Sequence, residues 1–217
     1  MAIDGTLKKL QEAIIEYDAS RANNLAFKSI EEGVDPLRAV EMLTETIKKI
    51  GDRFNKEELW LPDLIGAASA MQAAMPVLEE QIKKSGRVRR SSGIVVIGTV
   101  FGDIHNIGKD MVATLLAADG YQVVDLGVNI NAEQFIGAIK EHQPDLLAMS
   151  SLMTMTAPEQ GKVIDALKKE GLRKKIKVII GGGAITKEFS DEIGADGYGA
   201  AATDAVNLAR ELLGRGK

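Results

Sequence analysis

Cysteine is absent from this 217-residue chain, which excludes disulfides, thiolate zinc sites, iron–sulfur clusters and a thiol nucleophile. Histidine is scarce. His105 and His142 are the only two, so any protein-bound metal must use them or carboxylates. Aromatic residues make up 4% of the chain. No excess of positive charge exists either: the formal net charge is −4 and the pI is near 5.4, which leaves no basic footprint for nucleic acid. The short run "KKSGRVRR" (83–90) reads as a solvated linker rather than a phosphate-binding arm. No apolar run is long enough to span a membrane, and the N-terminus mixes charges early and lacks an apolar signal core. With 45% hydrophobic and 27% charged residues, the expectation is a soluble cytoplasmic protein with neither membrane nor nucleic acid as partner.

Two patterns divide the chain. Over the first ~85 residues apolar side chains recur at helical spacing. Val40, Leu43, Ile47, Ile50 and Phe54 form one stripe, and Leu61, Leu64, Ala68, Met71, Met75, Leu78 and Ile82 form another. Asp35-Pro36 supplies an N-cap and a first-turn proline, Pro62 starts the last helix, and Gly33 and Gly51 mark helix C-termini. Pro76 predicts a kink. These signals describe a bundle of four or five helices. After "SGRVRRSSG" the pattern becomes short β-rich runs, 93–100, 121–128, 145–151, 177–183 and 196–199, alternating with helices near 107–119, 131–142, 158–170, 186–193 and 202–213. Near-continuous Val/Ile/Leu strands with helical crossovers specify a parallel sheet covered on both faces. The fold class is therefore α/β: an N-terminal helical bundle, then a flavodoxin-like, doubly wound five-stranded sheet of order 2-1-3-4-5. The division falls at 1–88 and 89–217.

That order places a ligand outside the strand carboxyl ends, where the winding reverses between strands one and three. The loops there are "FGDIHNIG", "SSLMTMT" and "GGGAIT", the stretches richest in glycine, hydroxyls and Asp-x-His. The first of them is not a Walker loop, because five residues separate Gly102 from Gly108 and Asp110 follows Lys109 where Ser or Thr is required. His105 has two readings, a loop histidine with an ordinary hydrogen bond or a metal ligand. The second is favoured by its place at the edge of strand one, by Asp103 two residues away, and by Gly108, which permits close approach of a bulky group. A metal-bound imidazole usually donates its other N–H to a carboxylate. One histidine does not hold a bare metal ion; it suits a macrocycle that fills the other positions, haem or corrinoid.

"GDIHNIGKD" resembles the Asp-x-His-x-x-Gly signature of cobalamin-binding domains of the methionine synthase type. "SSLMT" and "IIGGG" are similar to that family's Ser-x-Leu and Gly-Gly segments, and "IGDRFNKEELWLPDLIGAASAM" resembles its helical cap. Stand-alone corrinoid proteins of methyltransferase systems for methanol, methylamines, betaines or aryl methyl ethers have this same make-up. The resemblance implies a cap domain (1–88), a B12-binding domain (89–217), and cobalamin, as methylcobalamin, cob(I)alamin or a related corrinoid, held base-off with His105 as the lower ligand of cobalt. It further implies a relay of Asp103, His105 and Thr156, with Gly102, Ile104, Asn106 and Gly108 around it. Ser150, Leu152 and Thr154 would line one wall of a slot for the nucleotide tail, with Gly181, Gly182 and Gly183 on the other wall. Tyr198, Gly199 and Ala201 would surround the buried base. Phe54, Leu61 and Leu64, core residues by periodicity alone, become the shield of the upper cobalt face.

The activity so implied is that of a methyl carrier, without zinc ligands or acid/base groups for activating donor or acceptor. Its partners would be a substrate-specific methyltransferase, a methyl-acceptor methyltransferase using tetrahydrofolate or a thiol, and a reductive activator of Co(II), with the 83–93 linker as hinge for the cap. The alternatives are the cobalamin subunit of an adenosylcobalamin mutase, which generally lacks the cap, a cobalamin-responsive regulator, for which residues 1–30 contain no helix-turn-helix, and a cofactor-free receiver.

Overall fold

A computed structural model describes residues 2–56, 58–85 and 92–214. The centre of the expected hinge lies outside the described residues. Two compact units divide between residues 91 and 92, residues 118–120 excepted.

The N-terminal unit has four described helices, α1 (Ala2–Ile15), α2 (Ala19–Glu31), α3 (Pro36–Asn55) and α4 (Leu61–Lys84). Asp18 accepts the Arg21 N–H at 2.9 Å and starts α2, and Asp35 accepts the Leu37 N–H at 3.0 Å with Pro36 opening α3. Caps of this kind contribute roughly 1 kcal/mol each. Gly33, at φ +76°, follows the last turn of α2, where a left-handed residue releases the chain. Gly51, expected to end a helix, does not: α3 runs through it to Asn55. The apolar stripe continues on both sides of Gly51, with Ile47 and Ile50 buried before it and Phe54 half-buried after it, and that burial outweighs the roughly 1 kcal/mol cost of a mid-helix glycine. Pro62 lies in the first turn of α4, and Pro76 sits inside this helix without ending it. Leu10, Ile14, Leu43, Ile47, Leu64 and Leu78 are fully buried.

The second unit alternates β1 (Ile94–Thr99), α5 (Ile107–Ala118), β2 (Gln122–Asp125), α6 (Ala132–His142), β3 (Leu146–Ser150), α7 (Ala157–Lys169), β4 (Lys177–Gly181), α8 (Lys187–Ile193), β5 (Gly197–Gly199) and α9 (Ala202–Leu212). The strands are parallel in the order β2-β1-β3-β4-β5, as the sequence pattern specifies. Their register aligns Thr99 with Ser150, Ser150 with Gly181, and Gly181 with Gly199. Four strands therefore end on one row, and the loops that follow leave the sheet at the same level.

Alternation along the strands sorts the side chains between two layers. Val96, Leu147, Val178 and Ile180 pack in a core with Phe135, Ile139, Ile164 and Leu167 of α6 and α7. Ile97, Ala148 and Ile179 face a different neighbourhood, with Met111 and Val112 of α5 and Ala202 and Ala205 of α9. Among the described residues no helix is long and apolar enough to cross a membrane.

Candidate functional site

The loop after β1 is fixed at several points. Gly102 takes φ +79°, and a Cβ there would lie 3.3 Å from Thr156 Cγ2, so conformation and packing both favour glycine. Its N–H donates to Asn129 Oδ1 at 2.8 Å, the Asn129 N–H donates to the Asp103 carbonyl at 3.0 Å, and the Thr99 hydroxyl donates to the His105 carbonyl at 3.0 Å. The loop between β2 and α6 and the last residue of β1 thus hold the Asp-x-His turn from both sides.

Asp103 is fully buried, whereas the His105 ring is about half exposed. Asp103 Oδ1 accepts the His105 backbone N–H at 3.0 Å and meets His105 Nδ1 at 2.7 Å. Its other oxygen, Oδ2, accepts the Leu152 N–H at 2.7 Å and the Thr156 hydroxyl at 3.0 Å, with the Met153 N–H farther off at 3.4 Å. Burial alone pushes the carboxyl up. The hydrogen bonds from His105, Leu152 and Thr156 outweigh it and hold the group well below the usual carboxylate range. An ionised carboxylate only accepts, so the proton between the two side chains resides on Nδ1 and the lone pair of a neutral ring on Nε2. Among the described residues Nε2 takes no hydrogen bond, and the ring lines a cavity.

That cavity, of ≈ 620 Å³, runs between the sheet and the helices α5 and α9; ligand pockets span roughly 300–1,000 Å³. Its walls are mainly aliphatic and glycine-rich, with Ser150 and Lys109 among the few polar residues. Among the described residues no three His, Asp or Glu side chains gather to hold an ion. The donor set is one imidazole beside a large apolar slot, which fits a metal carried in by a macrocycle with an organic tail.

Of the residues expected to bind, Ile104, His105, Asn106, Gly108, Ser150, Leu152, Gly181, Gly182, Gly183, Gly199 and Ala201 line this cavity. Gly102, Asp103 and Thr156 form its support beneath His105. Thr154 is exposed and outside the lining. Tyr198 does not border the slot: it packs against the core on the opposite face of the sheet, because successive strand residues point to opposite sides and its neighbour Gly199 faces the cavity. Phe54 is half-buried and Leu64 fully buried in the helical unit, and the side chain of Leu61 lies outside those described.

The glycine triplet has an internal cause. A Cβ on Gly182, at φ +125°, would stand 1.9 Å from the Ser151 carbonyl oxygen, one on Gly181 2.8 Å from the Gly199 carbonyl, and one on Gly183 2.7 Å from Leu152 Cδ1. Neighbouring strands and loops already crowd all three positions. The triplet thus has a steric cause within the fold, and all three glycines also border the slot.

Two polar residues escaped the sequence reading. Ser151 is fully buried, and its hydroxyl lies 2.8 Å from that of Thr156; the available signal was strand alternation, which turns Ser151 away from Ser150 and toward α7. Lys109 is buried with its ammonium bonded to Asp110 at 2.6 Å and to Asp125 at the end of β2. Asn106 donates to the same Asp110 at 2.9 Å, so this network ties the first turn of α5 to β2. No spacing rule links Lys109 to Asp125.

Residues 93–207 match the family model of the B12 binding domain, and residues 6–79 match a second model of the same description. The chain is 38% identical over 208 residues to trimethylamine corrinoid protein 1 of Methanosarcina acetivorans, covering 95% of this chain and 96% of that one. It is 39% identical over 211 residues to a corrinoid protein of Desulfitobacterium hafniense, covering 96% and 98%. Among solved structures it is similar to the methanol:cobalamin methyltransferase complex MtaBC of Methanosarcina barkeri, with a TM-score of 0.84 and 30% identity over 97% of this chain and 80% of that one.

Proposed function

Because the chain belongs to the B12-binding corrinoid proteins of methyltransferase systems, we propose that it holds its corrinoid base-off, with His105 as lower ligand, and carries methyl groups between two partner methyltransferases. When bound, the corrinoid supplies a cobalt that takes up a methyl group and gives it up again. The observation that carries the ligand assignment is the pairing of an unbonded His105 Nε2 on the cavity wall with Nδ1 held on a buried, ionised Asp103. Asp103 fixes the tautomer and raises the basicity of the ring, and Thr156 fixes Asp103. The slot lined by Ser150, Gly181, Gly199 and Ala201 takes the displaced nucleotide tail.

One partner would load the methyl group, a second would pass it to tetrahydrofolate or a thiol, and a reductive activator would reduce accidentally formed Co(II) by one electron to Co(I). At each encounter the helical cap would give way to the partner. A cytoplasmic location is part of the same proposal. The test is reconstitution with hydroxocobalamin, comparing the wild type with His105→Ala. The expected result is a stoichiometric complex whose absorption spectrum changes when His105 is removed. A wild-type protein that takes up no corrinoid, or a spectrum indifferent to His105, refutes the reading.

A further inference from the structure

The hydroxyl pair behind Asp103 holds a directional problem with one solution. Thr156 has a single hydroxyl proton and three oxygens within reach: Asp103 Oδ2 at 3.0 Å, the Met153 carbonyl at 3.1 Å and Ser151 Oγ at 2.8 Å. Ser151 also has one proton, with Thr156 Oγ1 at 2.8 Å and the Met153 carbonyl at 3.3 Å to choose from. The Met153 carbonyl already accepts the Thr156 N–H at 3.1 Å and the Ala157 N–H at 3.0 Å, which occupies both of its lone pairs. Both oxygens of Asp103 already accept backbone N–H groups, from His105 at 3.0 Å and from Leu152 at 2.7 Å, so Asp103 meets Thr156 as an acceptor, and a carboxylate oxygen outcompetes a hydroxyl or carbonyl oxygen. The Thr156 proton therefore goes to Asp103, and the Ser151 proton goes to Thr156.

We propose that Ser151 is a positioning residue of the His105 site: its buried hydroxyl donates to Thr156, aims that hydroxyl at Asp103 Oδ2, and polarises it. Hydrogen bonds in such a chain strengthen one another, by roughly 10–30% per bond. The consequence reaches His105 by competition. Charge that Asp103 gives to Thr156 through Oδ2 is not available to the His105 Nδ1–H through Oδ1, so Ser151 weakens the imidazole–carboxylate bond and makes the ring a softer donor to whatever Nε2 binds. Ser151 is the terminus of this chain, since it is fully buried. The inference rests on Asp103, His105 and Thr156 acting as one unit.

The experiment uses the full chain without corrinoid and reads the His105 Nδ1–H resonance and the Nδ1 nitrogen shift by NMR, the chain's two histidines being told apart by His105→Ala. Ser151→Ala removes one oxygen and no carbon, and Thr156→Val removes the donor itself with little change of shape. The expected result is a downfield move of the Nδ1–H signal in Ser151→Ala and a larger one in Thr156→Val. Ser151→Cys, which keeps a weak donor, should fall between wild type and Ser151→Ala, and it serves as the second variant if the alanine protein does not fold. A purely structural role for Ser151 would loosen Asp103 and move the signal upfield. An upfield move, or a signal unchanged from the wild type, overturns the proposal. Hydroxocobalamin uptake by the same samples is scored separately: failure there refutes the carrier reading and leaves the NMR result to decide Ser151.

Discussion

Asp103→Asn is the sharpest perturbation of the site, because the amide offers one acceptor where the carboxylate offers two. With its oxygen turned to His105, the Asn NH2 meets the Leu152 N–H now bonded at 2.7 Å. Turned the other way, the NH2 meets the His105 backbone N–H, bonded at 3.0 Å, and the ring must shift its proton to Nε2. Either orientation strands one buried N–H, which costs about 1–3 kcal/mol, and forfeits a charge-assisted bond worth about 1.5–3 kcal/mol. The expected loss is on the order of 3 kcal/mol, or about a hundredfold in the unfolding equilibrium of the sheet unit. Urea unfolding followed by hydrogen exchange in β1 and β3 measures it without contribution from the helical unit.

The pH dependence has a fixed sign. The folded-state value of Asp103 lies below its unfolded value, so its stabilisation is fully present above the unfolded value of about 3.9 and is lost as pH falls toward the folded one. The wild-type advantage over Asp103→Asn should hold at pH 7 and shrink progressively below about pH 4. The second orientation also puts a proton on Nε2, so His105-dependent binding of hydroxocobalamin should drop by roughly 10–100-fold, as for other ligand-orienting residues. Equal stability at pH 7 together with an unchanged spectrum would refute the argument.

Lys109→Met leaves Asp110 and Asp125 facing each other without their shared cation; both are partly hydrated, so a loss of roughly 1–3 kcal/mol is expected, read as a lower urea midpoint. Asp125→Asn keeps the Asp110 partner and should cost less in the same titration. Gly182→Ala must move the Ser151 carbonyl from a 1.9 Å clash at a left-handed backbone position and should lose roughly 2 kcal/mol or more. Gly183→Ala meets only the movable end of Leu152 and should lose less than about 1 kcal/mol, a contrast that thermal melting of the two variants checks.

The sheet was legible because each strand is a short apolar run bracketed by glycine or polar turns, and period and length together exclude other structures. The pairing of Asp103 with His105 was legible too, since two residues of separation at a strand end leave few geometries. Gly51 misled because glycine ends helices only where the apolar stripe also ends, and here the stripe runs on from the buried Ile47 and Ile50 to the half-buried Phe54 beyond it. Tyr198 misled because nearness in sequence to Gly199 says nothing of the face on which a strand residue lies. The sequence showed the face of Ser151 and nothing of Lys109, and the roles of both were hidden for a common reason: each acquires its role from a partner that only the packed fold brings near, Thr156 across the α7 turn and Asp125 at the end of the neighbouring strand.

The two faces of the sheet divide the work. Thr99, Ser150, Gly181 and Gly199 share one row; the last three border the slot, while the Thr99 hydroxyl holds the His105 carbonyl. The residue after Ser150, Ser151, turns to the other side, where its hydroxyl meets Thr156 at the head of α7. Asp103 bridges the two layers, with Oδ1 toward the histidine of the slot and Oδ2 toward the hydroxyls of the α7 side. A ligand on His105 therefore does not touch the groups that set the basicity of its ligand atom. Substitutions behind the sheet, at Ser151 or Thr156, should alter the strength of ligation while leaving the shape of the slot intact, whereas substitutions at Gly199 or Ala201 should alter uptake while leaving the His105 Nδ1–H signal where it is.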